Sequence, residues 1–436
     1  GRSSKRWEKL FYLSIVVLML LVTCYSAYQS SRHVFLLRNG HLSRPLGMAF
    51  QHGSRRMRYG YGPQRIICTL GELSRATKAT FPQDGLCDVL VYAHLDTVTD
   101  VKKQASPNLR TFWVMSKKTN TTKFGYSFSD GILSSRLGQI KTFVSRSARK
   151  DNIGAFGMLS TVWTNGTDAR PLVKVMRALD ASRYRLSLAK PSINVIILFG
   201  ITLSNYTRLN GEKFLLQHRA VLKHVQMLVY ETHSELARLK PGGENSSAIK
   251  KRSCISGFPT PRFFQTMNQE PTLQDAVYAM DTLLHFKGKL RSDFAIQKTM
   301  QFSFGRSLGY DVCASITLSA HRYRMHNTVD INSACKNVSA ASYSATCNPN
   351  EAEPAKVDRE GIVVVYPRSR LLDVFDAPET IVEKLKSVKA SLLLAAPQWS
   401  FCVAAFHIEH EDHQGTCGPK FGRLLVTKSY LQGKLR

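Results

Sequence analysis

Phe406-His407-Ile408-Glu409-His410-Glu411-Asp412-His413-Gln414-Gly415-Thr416-Cys417-Gly418, near the C-terminus, is the stretch on which the reading of the fold turns. An uninterrupted apolar run, Ser400 to Ala405, leads into it, and a basic, apolar tail follows. A strand covered on both faces reads as a continuous apolar run rather than an alternating one, and acids and imidazoles return only where the chain leaves the sheet. The same texture recurs upstream in Ile66 to Leu70, Val89 to His94, Val195 to Leu203, Val225 to Tyr230, Val312 to Leu318 and Ile362 to Tyr366, with the last run extending over Ser400 to Ile408.

Amphipathic helices separate these runs. The clearest is Pro378 to Val388: Asp376 and Glu379 are spaced as a capping box, Pro378 sits in the first turn, and Ile381, Leu385 and Val388 form one stripe. Leu273 to Phe286 is another. Strand and helix alternating over residues 64–436 predict an α/β fold, a (β/α)8 TIM barrel, with a doubly wound sheet as the alternative. Loops are expected around Leu239 to Arg262 and Asn348 to Arg359.

Ahead of this domain, Leu10 to Tyr28 carries no charge over 19 residues, about 28 Å of helix and enough to cross a bilayer core. Arg2, Lys5, Arg6 and Lys9 lie in the basic segment 1–9 before it, and residues 29–63 read as a polar stalk. A type II signal-anchor with a cytosolic N-terminus is expected, with a cleaved signal peptide as the competitor. Either one exports the remainder. Eight cysteines follow the apolar segment, at 68, 87, 254, 313, 335, 347, 402 and 417, an even number that fits disulfides in an oxidising compartment. Acceptor sequons at Asn120, Asn165, Asn205, Asn245 and Asn337 agree with an extracellular or lumenal surface.

The formal net charge is +29. Such a charge ordinarily raises nucleic acid as a partner, because Lys and Arg release counterions from phosphate. Export, scattered basic residues and the lack of basic-aromatic interleaving argue against that partner. Only short clusters occur, such as Arg146 to Lys150 and Lys250 to Arg252. A solvated surface is the favoured reading, with attraction to anionic glycans or lipid surfaces as its functional version.

Three stretches resemble the family 18 glycoside hydrolases, the chitinases and chitinase-like proteins. Arg65 to Cys68 followed by Asp84-Gly-Leu-Cys87-Asp-Val-Leu-Val-Tyr92-Ala-His94 is similar to the opening pair of strands, and the resemblance implies a Cys68–Cys87 disulfide. Ile193 to Leu203 with Val225-Gln-Met-Leu-Val-Tyr-Glu231-Thr-His233 is similar to the third and fourth strands. The capped helix and Phe401 to Glu409 resemble the final strand. The wording DGLCDVLVY and VxAFHIEHED looks most like the chitinase-like proteins abundant in ticks.

The resemblance also implies a loss. Chitinases of this family end the fourth strand in DGxDxDWE, whose Glu protonates the glycosidic oxygen while the aspartates orient the substrate's acetamido group as nucleophile. Placed on Gln226 to His233, the motif loses its first two Asp, has Glu231 for the third, and has His233 where the acid belongs. The final-strand Trp becomes Phe406, and the third-strand SxGG becomes Leu198-Phe-Gly-Ile201. The expectation is a catalytically inactive barrel with a vestigial cleft at Tyr230, Glu231, His233 and Phe406. It needs no cofactor, and it binds a chitin-type or other glycan, or a protein partner. An active glycosidase using Glu231 is the runner-up.

Three rivals are weaker. His94-Leu-Asp96-Thr-Val98 matches a zinc exopeptidase segment, but the chain has no Glu-Glu pair to complete the ligand set. His407, Glu409, His410, Glu411 and His413 have the composition of a metal site, yet on an extended strand 407, 409 and 411 face opposite to 410, so no metal is expected. A type II Golgi glycosyltransferase fits the topology, but no two aspartates are separated by one residue.

Overall fold

The computed structural model describes residues 65–72, 74–96, 98, 105–150, 153–163, 168–191, 194–203, 220–231, 254–256, 311–347, 356–358, 361–395 and 401–435. The segments 1–9, 10–28 and 29–63, the Leu273 to Phe286 helix, His233, and the sequons at Asn165, Asn205 and Asn245 lie outside them. Among the described residues no helix is long and apolar enough to cross a membrane.

Eight parallel strands close into a barrel. In chain order they are β1 (Ile66–Leu70), β2 (Val89–Leu95), β3 (Lys123–Phe128), β4 (Ile153–Trp163), β5 (Ile196–Leu203) and β6 (Met227–Tyr230), then β8 (Asp311–Thr317) and β14 (Phe401–Phe406). The wall helices include α1 (Pro107–Ser116), α2 (Leu137–Lys150), α3 (Ala169–Ala189), α5 (Pro378–Ala395) and α6 (Gly422–Leu431), with a short α4 (Tyr343–Thr346) in the insertion. Between β8 and β14 the chain builds most of a second sheet, antiparallel and six-stranded: β9 (Ala320–Met325), β10 (Ala334–Ala341), β11 (Lys356–Asp358), β12 (Gly361–Tyr366) and β13 (Leu371–Phe375), with β7 (Cys254–Ile255) on the edge beside β10.

The expected TIM barrel is present, but its strand count differs from the sequence reading in two ways. Ile362 to Tyr366 belongs to the inserted sheet, not the barrel. The run 195–203 is the fifth barrel strand rather than the third, and 225–230 the sixth rather than the fourth, because β3 and β4 come before them. Glycine hides these two strands, since it weakens strand propensity and leaves gaps in the apolar run. Their geometry requires it: a Cβ on Gly157 would lie 2.0 Å from the Leu198 carbonyl oxygen, and one on Gly125 would lie 2.6 Å from the Ala155 Cβ.

Side-chain alternation sorts the core into two layers. Ile67, Val91, Ala155, Leu198, Met227, Val229, Cys313, Ala404 and Phe406 fill the barrel interior. Leu90, Phe124, Tyr126, Phe156, Phe199, Tyr230 and Val403 pack outward against helix residues such as Phe112, Phe143, Val175 and Leu385. All eight described cysteines are bridged. Cys68–Cys87 forms as the resemblance implies, Cys313–Cys402 joins neighbouring barrel strands, Cys254–Cys335 ties the inserted sheet, and Cys347–Cys417 ties that insertion to the loop after β14. Four disulfides suit an oxidising, extracellular or lumenal compartment. Asn120 and Asn337 are exposed, as acceptor asparagines need to be.

Asp376, expected as a cap for α5, is held 2.7 Å from the Lys384 ammonium in a buried pair.

Candidate functional site at the C-terminal mouth of the barrel

Parallel barrels carry their sites where the strands end. On the inner face at that end the register brings together Thr69, Ser127, Glu231, Ser315, Thr317 and Phe406. Four are hydroxyl residues. The Ser127 hydroxyl accepts the Leu159 N–H at 2.8 Å, Thr69 Oγ1 accepts the His407 N–H at 3.1 Å, and Thr317 Oγ1 lies 3.0 Å from Ser319 Oγ. At the rim stand Glu72, His94 and Asp96, all exposed.

β4 is irregular at its mouth end. Its pairing with β5 shifts between Met158 and Thr161, and Ser160 sits at φ 59°. A bulge of this kind frees a backbone N–H from the ladder. The Glu231 carboxylate, arriving from the end of β6, accepts the N–H of Ser160. Glycine at 200 makes room for it, since a Cβ there would lie 2.6 Å from Glu231 Oε1. Glu231 is thus buried and anchored at the end of the fourth strand. The Ser160 and Thr161 hydroxyls beside it are buried without a hydrogen-bond partner.

The motif stretch after β14 behaves differently. β14 ends at Phe406, His407 takes a left-handed conformation (φ 65°), and Ile408–His410 form one 3-10 turn. The strand-alternation argument for residues 407 to 411 therefore fails, because no strand continues there. Among the described residues no group of three or more His, Cys, Asp or Glu side chains is placed to hold a metal ion. The acids serve the fold instead. Glu409 accepts the Gly71 N–H at 3.0 Å and lies 3.3 Å from His407 Nδ1. Burial opposes its charge, but His407 and the Gly71 amide outweigh this and hold its pKa below the usual carboxylate range. Glu411 forms a fully buried pair with Arg423 at 2.6 Å. Asp412 accepts the N–H groups of Gly415, Thr416 and Cys417 at 2.9, 3.0 and 2.6 Å.

Two imidazoles nearby are neutral. Burial, with His407 adding to it, pushes the His321 pKa down to about 3, and its Nε2 has no hydrogen-bond partner. Burial also pushes His410 down to about 4 against the pull of Glu409, and neither of its ring nitrogens has a partner.

Of the expected cleft residues, Glu231 and Phe406 lie on the inner face, and Phe406 is buried in the barrel interior. Tyr230 does not join them: it is buried in the outer layer, because Met227 and Val229 take the inward positions of β6. His233 lies outside the described residues. Sequence reasoning missed Ser127, Ser160, Thr161 and Gly200, all on strands it either did not see or counted wrongly. Recognising the glycine-interrupted runs 123–128 and 153–163 as strands would have found the first three.

No family model matches the chain, and no curated protein sequence matches it. Solved structures do. An immunomodulatory active chitinase from Trichuris suis has a TM-score of 0.54 at 10% identity, covering 85% of this chain and 100% of that one. Human YKL-39, a pseudo-chitinase with retained chitooligosaccharide binding, has a TM-score of 0.55 at 12% identity over 84% of this chain and 99% of that one. The chitinase-like agglutinin of Robinia pseudoacacia has a TM-score of 0.52 at 11% identity over 84% and 99%. At such identities the likeness speaks for architecture: the chain has the fold of the family 18 chitinases and chitinase-like proteins.

Proposed function

We propose that this chain is a catalytically silent chitinase-like protein that binds a glycan at its barrel mouth. One observation carries the reading. Counted in the barrel, the fourth strand is Ile153–Trp163, IGAFGMLSTVW, which contains no Asp or Glu. The family resemblance requires the acid and the aspartates that steer the acetamido group at the end of that strand. A glycosidase of this kind needs a proton donor and a charge-stabilised nucleophile together, and here the strand supplies neither. Moving the comparison from β6 to β4 strengthens the expectation of inactivity. The hydroxyl groups of Thr69, Ser127, Ser315 and Thr317 and the ring of Phe406 are buried beneath the mouth, so a sugar would be met by the exposed rim residues Glu72, His94 and Asp96. A neighbour of the same fold described as retaining chitooligosaccharide binding while being a pseudo-chitinase supports this division.

Glu231 is the reason to keep an active glycosidase as the second reading, since it brings a buried carboxylate to the end of the fourth strand. Kinship with the tick chitinase-like proteins, a signal-anchor at residues 10–28 and a type II topology belong to the same proposal and rest on the sequence. Calorimetric titration of the full chain with an N-acetylglucosamine hexamer, followed by product analysis of the same sample, separates the readings. Binding with the hexamer intact supports the silent barrel. Shorter sugars that vanish in Glu231→Gln would establish the glycosidase, and absence of binding would move the function to a protein partner.

A further inference from the structure

Two neighbouring wall helices carry cations almost without acids. α2 contains Lys141, Arg146, Arg149 and Lys150 and no Asp or Glu. α3 contains Arg170, Lys174, Arg177, Arg183 and Arg185 against a single acid, Asp180. Asp180 is buried and already engaged by Arg183 at 2.8 Å and His224 at 2.9 Å. The exposed acid at this end of the pair is the α3 cap, Asp168, which meets Arg170 at 3.0 Å. The two helices pack side by side.

The arrangement is linear. Arg170, Lys174, Arg177 and Arg185 are exposed and recur at helical spacing, so they share one stripe running roughly 22 Å along α3 at 1.5 Å per residue. Arg146 and Arg149 are exposed on the adjoining α2. The inward faces are apolar and account for the helices' packing: Ile140, Phe143 and Val144 on α2, and Leu172, Val175, Met176 and Leu179 on α3. The cations contribute nothing to that packing. Like charges on one face repel, so a fold gains nothing from concentrating them there unless an anion is met.

We infer that the α2/α3 face, built on Arg146, Arg149, Lys174, Arg177 and Arg185, binds a linear sulfated polysaccharide. The compartment that permits four disulfides is one in which such polymers occur and nucleic acid does not compete. A bilayer fits less well. The exposed large apolar residues of these helices are Leu137 and Leu188; one opens α2 and the other closes α3, so no contiguous apolar strip is available to insert. Arginine predominates, and its planar fork suits a sulfate oxygen pair. This surface lies on the outer wall and is separate from the barrel mouth.

The test uses the full chain and heparin as probe at 0.15 M salt, with chemically desulfated heparin and phosphatidylserine vesicles beside it. Lys174→Glu/Arg177→Glu/Arg185→Glu is compared with Arg368→Glu/Lys420→Glu/Lys434→Glu, which changes three exposed cations elsewhere and shifts net charge equally. Thermal unfolding verifies that both variants remain folded. The inference predicts binding that requires sulfation and weakens steeply with added salt. It also predicts a loss of about tenfold or more in the α3 variant and less than about twofold in the control. Equal losses in the two variants, no heparin binding by the parent chain, or capture by vesicles through the same three residues would overturn it.

Discussion

The ends of the fourth and eighth barrel strands differ in a way that inverts what their sequences advertise. The loop after β14 is crowded with ionisable groups, and most of its acids are consumed by structure: Glu409 on the Gly71 amide, Glu411 on Arg423, Asp412 on three successive backbone N–H groups. The end of β4 has no ionisable group of its own, yet it presents two unpartnered hydroxyls and a bulge amide that takes the carboxylate of Glu231. Density of chemistry-bearing residues thus marks the place that is locked rather than the place that is available. Buried charges need partners, and the sequence shows the charges without showing the partners.

The largest effect should come from unlocking the eighth-strand loop. Arg423 is fully buried, pairs with Glu411, and donates to the carbonyls of Leu318 and Asp376 at 2.6 and 3.3 Å. Arg423→Met removes the cation paired with buried Glu411, leaving it the backbone N–H of residue 423 at 3.0 Å, and should cost about 3 to 5 kcal/mol in denaturant unfolding. A loss below about 1 kcal/mol would show that this loop is not held as described.

A smaller effect is expected on the other side of the comparison. Gly157→Ala places a methyl against the Leu198 carbonyl oxygen in the wall between β4 and β5, and should destabilise by about 1 to 3 kcal/mol, read from the unfolding midpoint. An unchanged midpoint would mean that β4 does not pack as closely on β5 as the register requires.

Comparable in size to that of Gly157→Ala is the response to acid near β14. The unfolded chain protonates its histidines near their ordinary pKa, whereas folded His410 and His321 take protons only around pH 4 and pH 3. With folded-state pKa values depressed, their contribution is full above about 6.5 and is lost as pH falls toward those values. Glu409, also depressed, acts in the same direction. Stability should therefore decline by on the order of 1 to 3 kcal/mol between pH 6.5 and 4, and His321→Phe should flatten part of that slope. A parent profile that is flat across this window would contradict neutral burial of both imidazoles.

Much of the fold was legible because parallel strands buried on both faces announce themselves as apolar runs: β1, β2, β5, β6, β8 and β14 are all visible that way. β3 and β4 were not, because close contact between neighbouring strands demanded Gly125 and Gly157, and glycine removes the side chains on which the pattern depends. That single omission displaced the strand count by two, so that Val225 to Tyr230 was numbered fourth when it is the sixth strand of the barrel. The inserted sheet was hidden for another reason. Its β9 and β10 alternate polar with apolar residues, as in Arg322-Tyr323-Arg324-Met325, and so lack the continuous run that identified the barrel. Of the site, Glu231 and Phe406 could be found by position, while the role of Ser160 follows from a bulge that no local pattern encodes.

The most direct test is prolonged incubation of the full chain with a fluorogenic chito-oligosaccharide, with Glu231→Gln run in parallel. A carboxylate-free fourth strand predicts that both release fluorophore at the buffer rate. Turnover by the parent chain that disappears in Glu231→Gln would contradict it, and would make the carboxylate reaching across from β6 the catalytic acid.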